Sequence, residues 1–256
     1  MTTIVQSLKE WNSIRRNELR GKGVGFVPTM GALHAGHQLL IERSLRENDV
    51  TVVSIFVNPT QFNNKNDFKA YPRNHEKDVE LLTRLGVHYV FLPAYEELYP
   101  DEFAFKISEH DISLSMEGIG RPGHFDGVLT VVMKLLNIIQ PGQAYFGEKD
   151  YQQYILVRNM CEAFFLQTVI VMCPTVRDTD GLALSSRNML LNQDQRKRAA
   201  LFPALLGSKK SAASIRRELE EAGFRVDYIN ERDGRRFGAV YIGNVRLIDN
   251  IKLNAD

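Results

Sequence analysis

The sequence contains little cysteine and no long hydrophobic run. Its two cysteines, Cys161 and Cys173, are too far apart for a CxxC metal or redox motif, and we expect both to be reduced and structural. The longest apolar stretches are residues 128–139, which Lys134 interrupts, and residues 50–57. Both are far shorter than the roughly 20 residues that a membrane helix needs. The sequence therefore predicts no association with a membrane.

The sequence also has almost no net charge. Its 32 basic residues nearly balance 31 acidic ones, which leaves a net charge of +1. No overall field therefore attracts the chain to nucleic acid, and any anion site must be local. Residues 1–20 are polar and lack the apolar segment of a signal peptide. We expect a cytoplasmic protein that does not bind nucleic acid.

Common phosphate-binding and esterase motifs are absent as well. There is no GxxxxGK[ST] segment, and the glycine-rich residues 21–25 precede a predicted strand, whereas a Rossmann phosphate loop follows one. Ser185 and Ser186 do not lie in a GxSxG pattern, so a nucleophilic serine is not expected. The C-terminal residues 191–256 carry basic clusters, such as residues 235–236, among interspersed acids. We interpret these clusters as solvated surface.

What the sequence does contain is a regular alternation of short apolar runs and amphipathic stretches. This alternation is typical of a parallel sheet covered by helices. The predicted strands are residues 24–27, 51–57, 89–92, 144–146 and 168–172. The predicted helices between them are residues 36–47, 76–85, 127–139 and 152–165. The pattern predicts an α/β fold with a doubly wound, Rossmann-like parallel sheet.

The pattern changes after Pro174. A loop-rich segment over residues 175–192 is followed by charged helical stretches and short predicted strands. Those strands lie near residues 225–229, 239–242 and 245–248. We therefore expect a Rossmann-like domain over residues 1–175 and a second, smaller α+β domain over residues 176–256.

The most informative segment is PTMGALHAGHQLL at residues 28–40, which follows the first predicted strand and begins the first predicted crossover helix. In such folds ligands bind beyond the carboxyl ends of the strands, and a helix N-terminus favours an anion. His34 and His37 can share one face there, while Gly31 and Gly36 allow the backbone to approach a phosphate closely. Zinc ligation and ordinary helix capping are the alternatives.

A second segment, FGEKDYQQ at residues 146–153, lies where the fourth predicted strand ends. Gly147 permits a sharp turn, and Lys149 supplies a positive charge for a phosphate. Asp150 is suited to bind magnesium or the nucleotide through its carboxylate. A solvated charged turn before a helix is the alternative.

A third segment, RDTDGLALSSRN, covers residues 177–188 at the predicted domain junction. Ser185, Ser186 and Arg187 form a compact set of donors for a triphosphate. An ordinary polar linker is the alternative.

Two further segments are suited to a substrate pocket. SIFVNPTQF ends a predicted buried strand with Asn58 and Gln61, whose neutral amides can bind a hydroxyl or a carboxylate. RPGHF places Arg121 and His124 beside a glycine just before a predicted helix. Each segment taken singly fits a plain turn better than a pocket.

The blocks PTMGALHxGH, NPxQF, RPGHFxGV, FGEKDxQQ and GLAxSSRN occur in this order. Together they resemble the pantothenate synthetase family, within the HxGH nucleotidyltransferases related to class I aminoacyl-tRNA synthetases. The likeness covers residues 28–188 and extends more weakly to RLIDN at residues 246–250. It implies a ligase that joins pantoate to beta-alanine through a pantoyl adenylate, giving pantothenate, AMP and pyrophosphate. It also implies ATP as substrate, magnesium, and a homodimer built on the nucleotide-binding domains.

The resemblance also implies which residues form the site. It places the following residues on ATP: Met30, Gly31, Ala32, Leu33, His34, Ala35, Gly36, His37, Gly147, Glu148, Lys149, Asp150, Val176, Leu184, Ser185, Ser186 and Arg187. Gln61 and Gln153 would hold pantoate, with Asn58, Arg121 and His124 as further candidates.

The expected chemistry follows from those positions. Six donors would stabilise charge on the phosphates, namely His34, His37, Lys149, Ser185, Ser186 and Arg187. His37 is the candidate proton donor to pyrophosphate, and Asp150 the candidate metal ligand. The small domain would act as a lid that keeps water from the adenylate. The sequence departs from the family pattern at residues 231–238, where the connection between the last strands is shorter.

Two other functions fit parts of the sequence. An adenylyltransferase acting on a phosphorylated acceptor, such as nicotinate mononucleotide or phosphopantetheine, shares HxGH. It needs an acceptor-phosphate site, which the neutral Gln61 and Gln153 disfavour. A non-catalytic nucleotide- or RNA-binding module would use the basic C-terminal surface and bind RNA with strong salt dependence.

Overall fold

The computed structural model describes residues 2–253, and the chain folds into two compact units. The first unit comprises the chain up to Gly147 together with Gln152–Cys173. The second unit comprises Glu148–Tyr151 and the chain from Pro174 onward. The predicted domains meet at a single point, between residues 175 and 176, whereas the second unit also takes in the short segment after Gly147. The division into two domains with separate functional roles, over residues 1–175 and 176–256, stays a prediction.

The first unit alternates strands and helices. Its strands are β1 (Thr3–Val5), β2 (Val24–Thr29), β3 (Val50–Ile55), β4 (Tyr89–Phe91), β5 (Gln143–Gly147) and β6 (Val169–Cys173). Its helices are α1 (Leu8–Asn17), α2 (Ala35–Glu47), α3 (Lys65–Ala70), α4 (His75–Leu85), α5 (Tyr95–Leu98), α6 (Glu117–Gly120), α7 (His124–Ile139) and α8 (Tyr151–Ala163), the last of which starts with a residue of the second unit. Short 3-10 helices cover Pro59–Gln61 and Ile112–Leu114.

The strands form one parallel sheet in the order β1-β4-β3-β2-β5-β6. All of the predicted strands and helices are present, and the predicted fold class is confirmed. The prediction missed β1 and α1, so the HxGH segment follows the second strand and not the first. The strand order reverses between β2 and β5, and the crevice beyond such a reversal is the usual ligand site of open α/β sheets.

Side chains of the central strands alternate between two buried clusters. Phe26 and Val52 pack with residues of α1, α7 and α8 on one face of the sheet. Val27 and Val53 pack with residues of α2 and α4 on the other. Successive side chains of a strand point to opposite faces, so continuous apolar strands require helices on both. This explains why the apolar runs predicted a doubly wound sheet.

Polar and glycine residues define where the crossover helices begin and end. The Asn74 side chain accepts a hydrogen bond from the Lys77 backbone N–H at 3.2 Å at the start of α4. Gly86 ends this helix in the left-handed region with φ +80°. Both are ordinary capping features, and they set the two ends of α4.

The second unit is a small antiparallel sheet with helices. Its helices are α9 (Gln193–Ala199), α10 (Leu201–Leu206) and α11 (Ala212–Glu221), and its strands are β7 (Arg225–Arg232), β8 (Arg235–Ile242) and β9 (Val245–Lys252). Short 3-10 helices cover Glu148–Asp150 and Ser186–Leu190. The sheet order is β7-β8-β9, and Phe202, Ile215 and Val240 lie in its core. The predicted α+β class of this part is confirmed.

The hairpin between β7 and β8 corrects the predicted strand ends. Both strands run on to a two-residue turn, Asp233 and Gly234, with φ of +52° and +68°. An Asp-Gly pair in the left-handed region is a favoured connection for a tight hairpin. The short connection at residues 231–238 is therefore a continuous pair of strands.

The interpretation of residues 235–236 as solvated surface is wrong. Arg235 and Arg236 are 8% and 5% exposed. The Arg236 guanidinium donates to the backbone oxygens of Leu206, Ser208 and Lys210 at 2.7 to 2.8 Å. These oxygens lie at the end of α10 and just after it, where carbonyl groups lack helical partners. Two neighbouring arginines thus serve as internal hydrogen-bond donors.

Two expected absences can be compared with the structure. Cys161 and Cys173 are both buried and carry free thiols, as expected. Burial raises the pKa of the Cys161 thiol to about 11, which disfavours a reactive thiolate. Within residues 2–253, no helix combines the length and the hydropathy that a bilayer span requires.

Candidate functional site

Helix α2 begins with the two histidines of the HxGH segment. His34 is the N-cap residue, and its Nδ1 accepts a hydrogen bond from the Gly36 N–H at 3.1 Å. His37 Nδ1 accepts from the His34 N–H at 3.3 Å. The two rings lie together, with centroids 4.1 Å apart. The histidines thus share a face as predicted, and they also cap the helix reciprocally, which was the alternative.

The capping bonds fix which imidazole nitrogen carries the proton. A ring nitrogen that accepts from a backbone N–H has no proton of its own, so each neutral ring is protonated on Nε2. His34 and His37 therefore present Nε2–H donors at a helix N-terminus. The helix dipole favours an anion at the same place. This arrangement is suited to negative charge on a phosphoryl group.

The loop before α2 is held by Asp78, which the sequence analysis did not single out. Asp78 is 4% exposed, and its two carboxylate oxygens accept from the Ala32 and Leu33 N–H groups at 2.8 Å each. Gly31 has φ +79°, and a Cβ there would lie 2.9 Å from Asp78 Oδ2 and 3.0 Å from Ile55 Cγ2. Glycine is therefore required for both conformation and space.

Asn58 lies just after β3 and is 1% exposed. Its Nδ2 donates to Gln61 Oε1 and to the Gly127 oxygen, both at 3.1 Å. Its Oδ1 accepts from the hydroxyls of Thr60 and Tyr99 at 2.9 Å. Both amide hydrogens are thus used within the chain, and their geometry orients the amide of Gln61.

The predicted pocket residues of the NPxQF and RPGHF segments are brought together around Gln61. The Gln61 backbone oxygen accepts from His124 Nδ1 at 2.8 Å and from Arg121 Nη2 at 3.4 Å. Arg121 Nη1 lies 3.0 Å from His124 Nε2, which fits a ring protonated on Nδ1. Gln61 Nε2 lies 3.3 Å from Met30 Sδ. This last contact joins the NPxQF segment to the loop before α2.

Tyr99 is a second residue that the sequence analysis missed. Burial raises the pKa of its phenol to about 12, so the hydroxyl stays protonated and can donate to Asn58 throughout the neutral range. Its distance along the chain from Asn58 left no local signal by which the sequence could identify it.

Gln152 and Gln153 are adjacent but differ in their surroundings. Gln152 is 6% exposed, donates through Nε2 to the Ile112 and Ser115 oxygens at 2.8 and 2.9 Å, and accepts from the Glu117 N–H at 3.1 Å. It therefore holds the segment before α6. Gln153, the predicted pantoate ligand, is half-buried.

In the second unit, the short turn that follows β5 is bound by side chains of β8 and β9. Asn250 Nδ2 donates to the backbone oxygens of Glu148 and Lys149, each at 2.9 Å. Arg235 Nη2 donates to Glu148 Oε1 at 2.6 Å. The Arg235 guanidinium also lies over the Tyr151 ring, 4.3 Å from its centroid. The turn is therefore not a free solvated loop.

Lys149, Ser185 and Arg187 line one pocket of the second unit, together with Arg246 and Asp249. Residues from two predicted ATP-binding segments thus meet within a single unit. Ser185 also caps the following 3-10 helix, since its Oγ accepts from the Arg187 N–H at 3.3 Å. The cationic lining is suited to an anion.

Within the loop-rich segment predicted over residues 175–192, residues 176–184 fold back as a hairpin with an isolated β-bridge between Arg177 and Ala183. The Leu184 N–H donates to the Val176 oxygen at 2.9 Å, and the Asp178 N–H to the Leu182 oxygen at 2.8 Å. Gly181 closes the hairpin with φ +87°. Val176 and Leu184, both predicted to contact ATP, therefore lie opposite each other.

Arg177 fixes this hairpin to β9. Its guanidinium donates to both carboxylate oxygens of Asp249, at 2.6 and 2.9 Å, and the Asp249 side chain is only 1% exposed. The hydrogen bonds that Arg177 donates to Asp249 raise the pKa of Arg177 above its usual value. A bidentate pair of this kind, with its carboxylate buried, gives a defined geometry.

The described residues 2–253 contain no cluster of three or more metal-ligating side chains. The zinc alternative for His34 and His37 therefore finds no third ligand in that part of the chain. Asp150 is different, because magnesium is usually held by one or two carboxylates with substrate phosphates and water. Its side chain is 46% exposed, and its Oδ1 lies 3.8 Å from Lys149 Nζ.

Comparison with known proteins identifies the family. A family model described as pantoate-beta-alanine ligase matches residues 1–252. Pantothenate synthetase from Coxiella burnetii (strain Dugway 5J108-111) is 51% identical over 100% of this chain and 99% of its own length. The one from Bdellovibrio bacteriovorus is 48% identical over 99% of this chain and 100% of its own length.

Solved structures agree. Pantoate-beta-alanine ligase from Francisella tularensis, complexed with beta-gamma ATP and beta-alanine, superposes with a TM-score of 0.95 at 43% identity, covering 98% of each chain. Pantothenate synthetase from Thermus thermophilus superposes with a TM-score of 0.89 at 42% identity, covering 99% of this chain and 100% of that one. The chain therefore belongs to the pantoate-beta-alanine ligase family, and it is a ligase.

Proposed function

We propose that the chain forms pantothenate in two steps. In the first, a carboxylate oxygen of pantoate attacks the α-phosphorus of ATP, the bond to the bridging oxygen breaks, and pyrophosphate leaves. In the second, the beta-alanine nitrogen attacks the acyl carbon of pantoyl adenylate, the acyl–oxygen bond breaks, and AMP leaves as the nitrogen loses a proton. The ATP analogue and beta-alanine in the Francisella tularensis structure support these substrates.

The observation that carries this proposal is the start of helix α2. Phosphoryl transfer is accelerated mainly by donors aimed at the charge that develops on the transferring and departing oxygens. The Nδ1 atoms of His34 and His37 are tied to the backbone, which directs an Nε2–H donor from each ring. His37 Nε2–H is proposed to donate to pyrophosphate as it leaves. The loop from Met30 to Leu33 is proposed to follow the nucleotide.

Lys149, Ser185, Ser186 and Arg187 are proposed to bind the phosphates from the second unit. Support comes from the pocket that Lys149, Ser185 and Arg187 line within this unit. A guanidinium and an ammonium supply charge, and the hydroxyls supply directed donors. Val176 is proposed to lie near the adenine and Leu184 near the phosphates, from opposite sides of the hairpin.

Gln61 and Gln153 are proposed to bind pantoate through neutral amides. Support comes from the side chains that hold Gln61, since Asn58 orients its amide while Arg121 and His124 hold its backbone oxygen. A preorganised amide binds without the cost of ordering a flexible side chain. Asn58, Arg121 and His124 then act chiefly through Gln61.

Asp150 is proposed as the protein ligand of magnesium. Its exposed carboxylate beside Lys149 fits an ion that keeps several waters and shares phosphate oxygens. Magnesium, when bound, neutralises charge on the triphosphate. Lys149 and Arg187 supply the remaining positive charge.

The second unit is proposed to act as a lid, and the protein as a cytoplasmic homodimer. The resemblance supports the homodimer, and the need to keep water from the adenylate supports the lid. The lid is tested by amide hydrogen exchange across residues 181–188, which should slow with ATP and magnesium and slow further with pantoate. Unchanged exchange would contradict it. Sedimentation of the purified protein tests the dimer.

The decisive experiment is ATP/pyrophosphate exchange. Adenylate formation is reversible and precedes the amine, so exchange should require pantoate and proceed without beta-alanine. Exchange without pantoate, or with a mononucleotide in its place, would point to a different adenylyltransferase. Salt-dependent, tight binding of RNA would instead favour the non-catalytic alternative.

A further inference from the structure

We propose that Asn250 and Arg235 are positioning residues for Lys149, so that strands β8 and β9 determine where its ammonium group lies. The inference builds on the proposed role of Lys149 on the phosphates. It concerns contacts within the second unit only. Neither Asn250 nor Arg235 is expected to touch ATP.

The first argument is the way in which Asn250 holds the backbone around Lys149. Its Nδ2 donates to the Glu148 oxygen and to the Lys149 oxygen, both at 2.9 Å. These oxygens belong to the two peptide units on either side of the Lys149 Cα. With both units held, the direction in which the lysine side chain leaves the backbone is fixed.

Asn250 is itself held from two sides. Its Oδ1 accepts from Arg235 Nη1, and its backbone N–H donates to Asp249 Oδ1 at 2.8 Å. The residue is 3% exposed. A buried amide whose own position is fixed can impose that position on its partners.

Arg235 holds the same turn from a second side. We call the contacts of Asn250 and Arg235 with residues 148–151 the clasp. It is 8% exposed, pairs with Glu148 Oε1 at 2.6 Å, and stacks on Tyr151 4.3 Å from the ring centroid. Glu148 precedes Lys149, and Tyr151 follows Asp150. The turn is therefore anchored both before and after the lysine.

A fixed direction of the side chain at the backbone matters for lysine in particular. Its four-carbon side chain is flexible and carries a point charge, so the backbone must limit the positions that the ammonium can reach. Charge stabilisation in a transition state depends on such placement, and small misplacements reduce rates strongly. The apolar core of the second unit is formed by other residues. Substitutions of Asn250 and Arg235 should therefore affect the turn around Lys149 and not the core.

A double-mutant cycle tests the inference. The rate of pantoate-dependent ATP/pyrophosphate exchange is measured for the wild type, Asn250→Ala, Lys149→Ala and the double variant. Asn250→Ala alone should lower kcat by roughly 10- to 100-fold. In the Lys149→Ala background the same change should cost less than about twofold, because its effect passes through the missing ammonium. The KM for pantoate should stay near the wild-type value.

Two matched control variants lie in the same sheet as β8 and β9. Asn230→Ala and Arg232→Gln alter exposed residues of β7 and should leave kcat unchanged. Arg235→Gln gives a second route to the result if Asn250→Ala does not fold, and Arg235→Lys, which keeps the charge facing Glu148, should recover part of the loss. Thermal unfolding of each variant measures the folded fraction.

The outcomes separate this inference from the proposed function. If Lys149→Ala itself has a near-normal rate, the role of Lys149 is wrong, and the inference is overturned with it. If Lys149→Ala is impaired but Asn250→Ala and Arg235→Gln are not, only the positioning role is overturned. Equal losses in both backgrounds would also overturn it, since they would show a general structural effect.

Discussion

The two segments of this ligase that are proposed to bind the phosphates of ATP are fixed in different ways. The start of α2 in the first unit is fixed mainly by its own neighbours, since His34 and His37 cap the helix and each other. The turn after β5 is fixed from β8 and β9, about a hundred residues away, through Asn250. One segment carries its geometry in its own residues, whereas the other receives it from the tertiary fold.

This difference explains what a motif can and cannot tell. HxGH specifies both the donors and the conformation that holds them. FGEKD specifies the donor, Lys149, but not the clasp that places it. Substitutions in the two segments should therefore differ in how catalysis and stability respond, and the following changes test this, starting with the largest expected effect.

The largest effect is expected for Lys149→Ala. Removing one preorganised charged donor typically costs about 2.7 to 4 kcal/mol, or roughly a hundred- to a thousandfold in kcat. Asn250 binds the backbone of this turn and not the lysine side chain, so the thermal midpoint should change little. Pyrophosphate exchange and thermal unfolding measure the two quantities. An unfolded variant, or a near-normal rate, would contradict the prediction.

His37 should behave differently because its ring caps the helix in addition to its proposed catalytic role. His37→Asn keeps an acceptor for the His34 N–H but removes the Nε2–H donor, whereas His37→Ala removes both. Both variants should lose about a hundredfold in kcat. Only His37→Ala should also lose about 0.5 to 1.5 kcal/mol of unfolding free energy, the value of a hydrogen bond. Equal stability of the two variants in denaturant would break the proposed contrast between the segments.

Asp78→Asn tests a support of the loop before α2 that comes from a distant part of the chain. An amide offers a single acceptor to the Ala32 and Leu33 N–H groups, so one loses its partner. The loss of a hydrogen bond to a charged group should lower the unfolding free energy by about 1.5 to 3 kcal/mol and weaken ATP binding. Glu80→Gln, on the exposed side of the same helix, should stay within about 0.5 kcal/mol of the wild type. Similar stabilities would remove Asp78 from this role.

Most of the fold could be predicted because it depends on local periodicity. The buried parallel strands and amphipathic helices have patterns that survive in the sequence alone. Strand β1 was too short to show one. Helix α1 did carry a signal, since Ser7 accepts from the Glu10 N–H and Trp11 and Ile14 bury one face; the mixed charges of the N-terminus obscured it.

For the candidate site, the hydrogen-bond donors could be predicted, but the residues that hold them in place could not. His34, Lys149 and Arg187 belong to motifs whose residue types reveal their chemistry. Asp78 and Asn250 were missed because their partners lie 45 or more residues away in the chain. Nothing local distinguishes such a residue from an ordinary helix-start acid or strand-end amide.

Three glutamines offer a smaller test. Gln61 and Gln153 are proposed to bind substrate, whereas Gln152 holds the backbone. Gln61→Ala and Gln153→Ala should weaken pantoate binding by about 0.5 to 1.5 kcal/mol each and leave ATP binding unchanged. Gln152→Ala should instead destabilise the protein, because its amide holds three backbone groups. Calorimetry with each ligand and denaturant unfolding separate the two outcomes. Equal effects on both ligands would remove Gln61 and Gln153 from the pantoate pocket.

The smallest effect is expected when the ion pairs between Arg196 and the hairpin of the second unit are removed, and this effect should depend on pH. Hydrogen bonds from Arg196 lower the pKa of Asp180 below its usual value of 3.8, and Asp178, which also pairs with Arg196, has a lowered pKa chiefly through the Thr179 N–H. A carboxyl whose pKa falls on folding stabilises the protein above its unfolded pKa, and that stability is lost as pH falls through the folded pKa.

Arg196→Gln should therefore reduce the protection of the Asp178 and Leu184 amides from hydrogen exchange at neutral pH, and the difference from the wild type should shrink as pH falls below about 4. The effect should also shrink at high salt, because the pairs are partly exposed and surface ion pairs are screened. Glu221→Gln, which alters an exposed pair on α11, should leave the hairpin amides unchanged. Because Arg177 and the buried Asp249 hold the other side of this hairpin, the ion pairs of Arg196 should tune its opening without controlling it. A hairpin that opens fully in Arg196→Gln would show that these surface pairs are its main support.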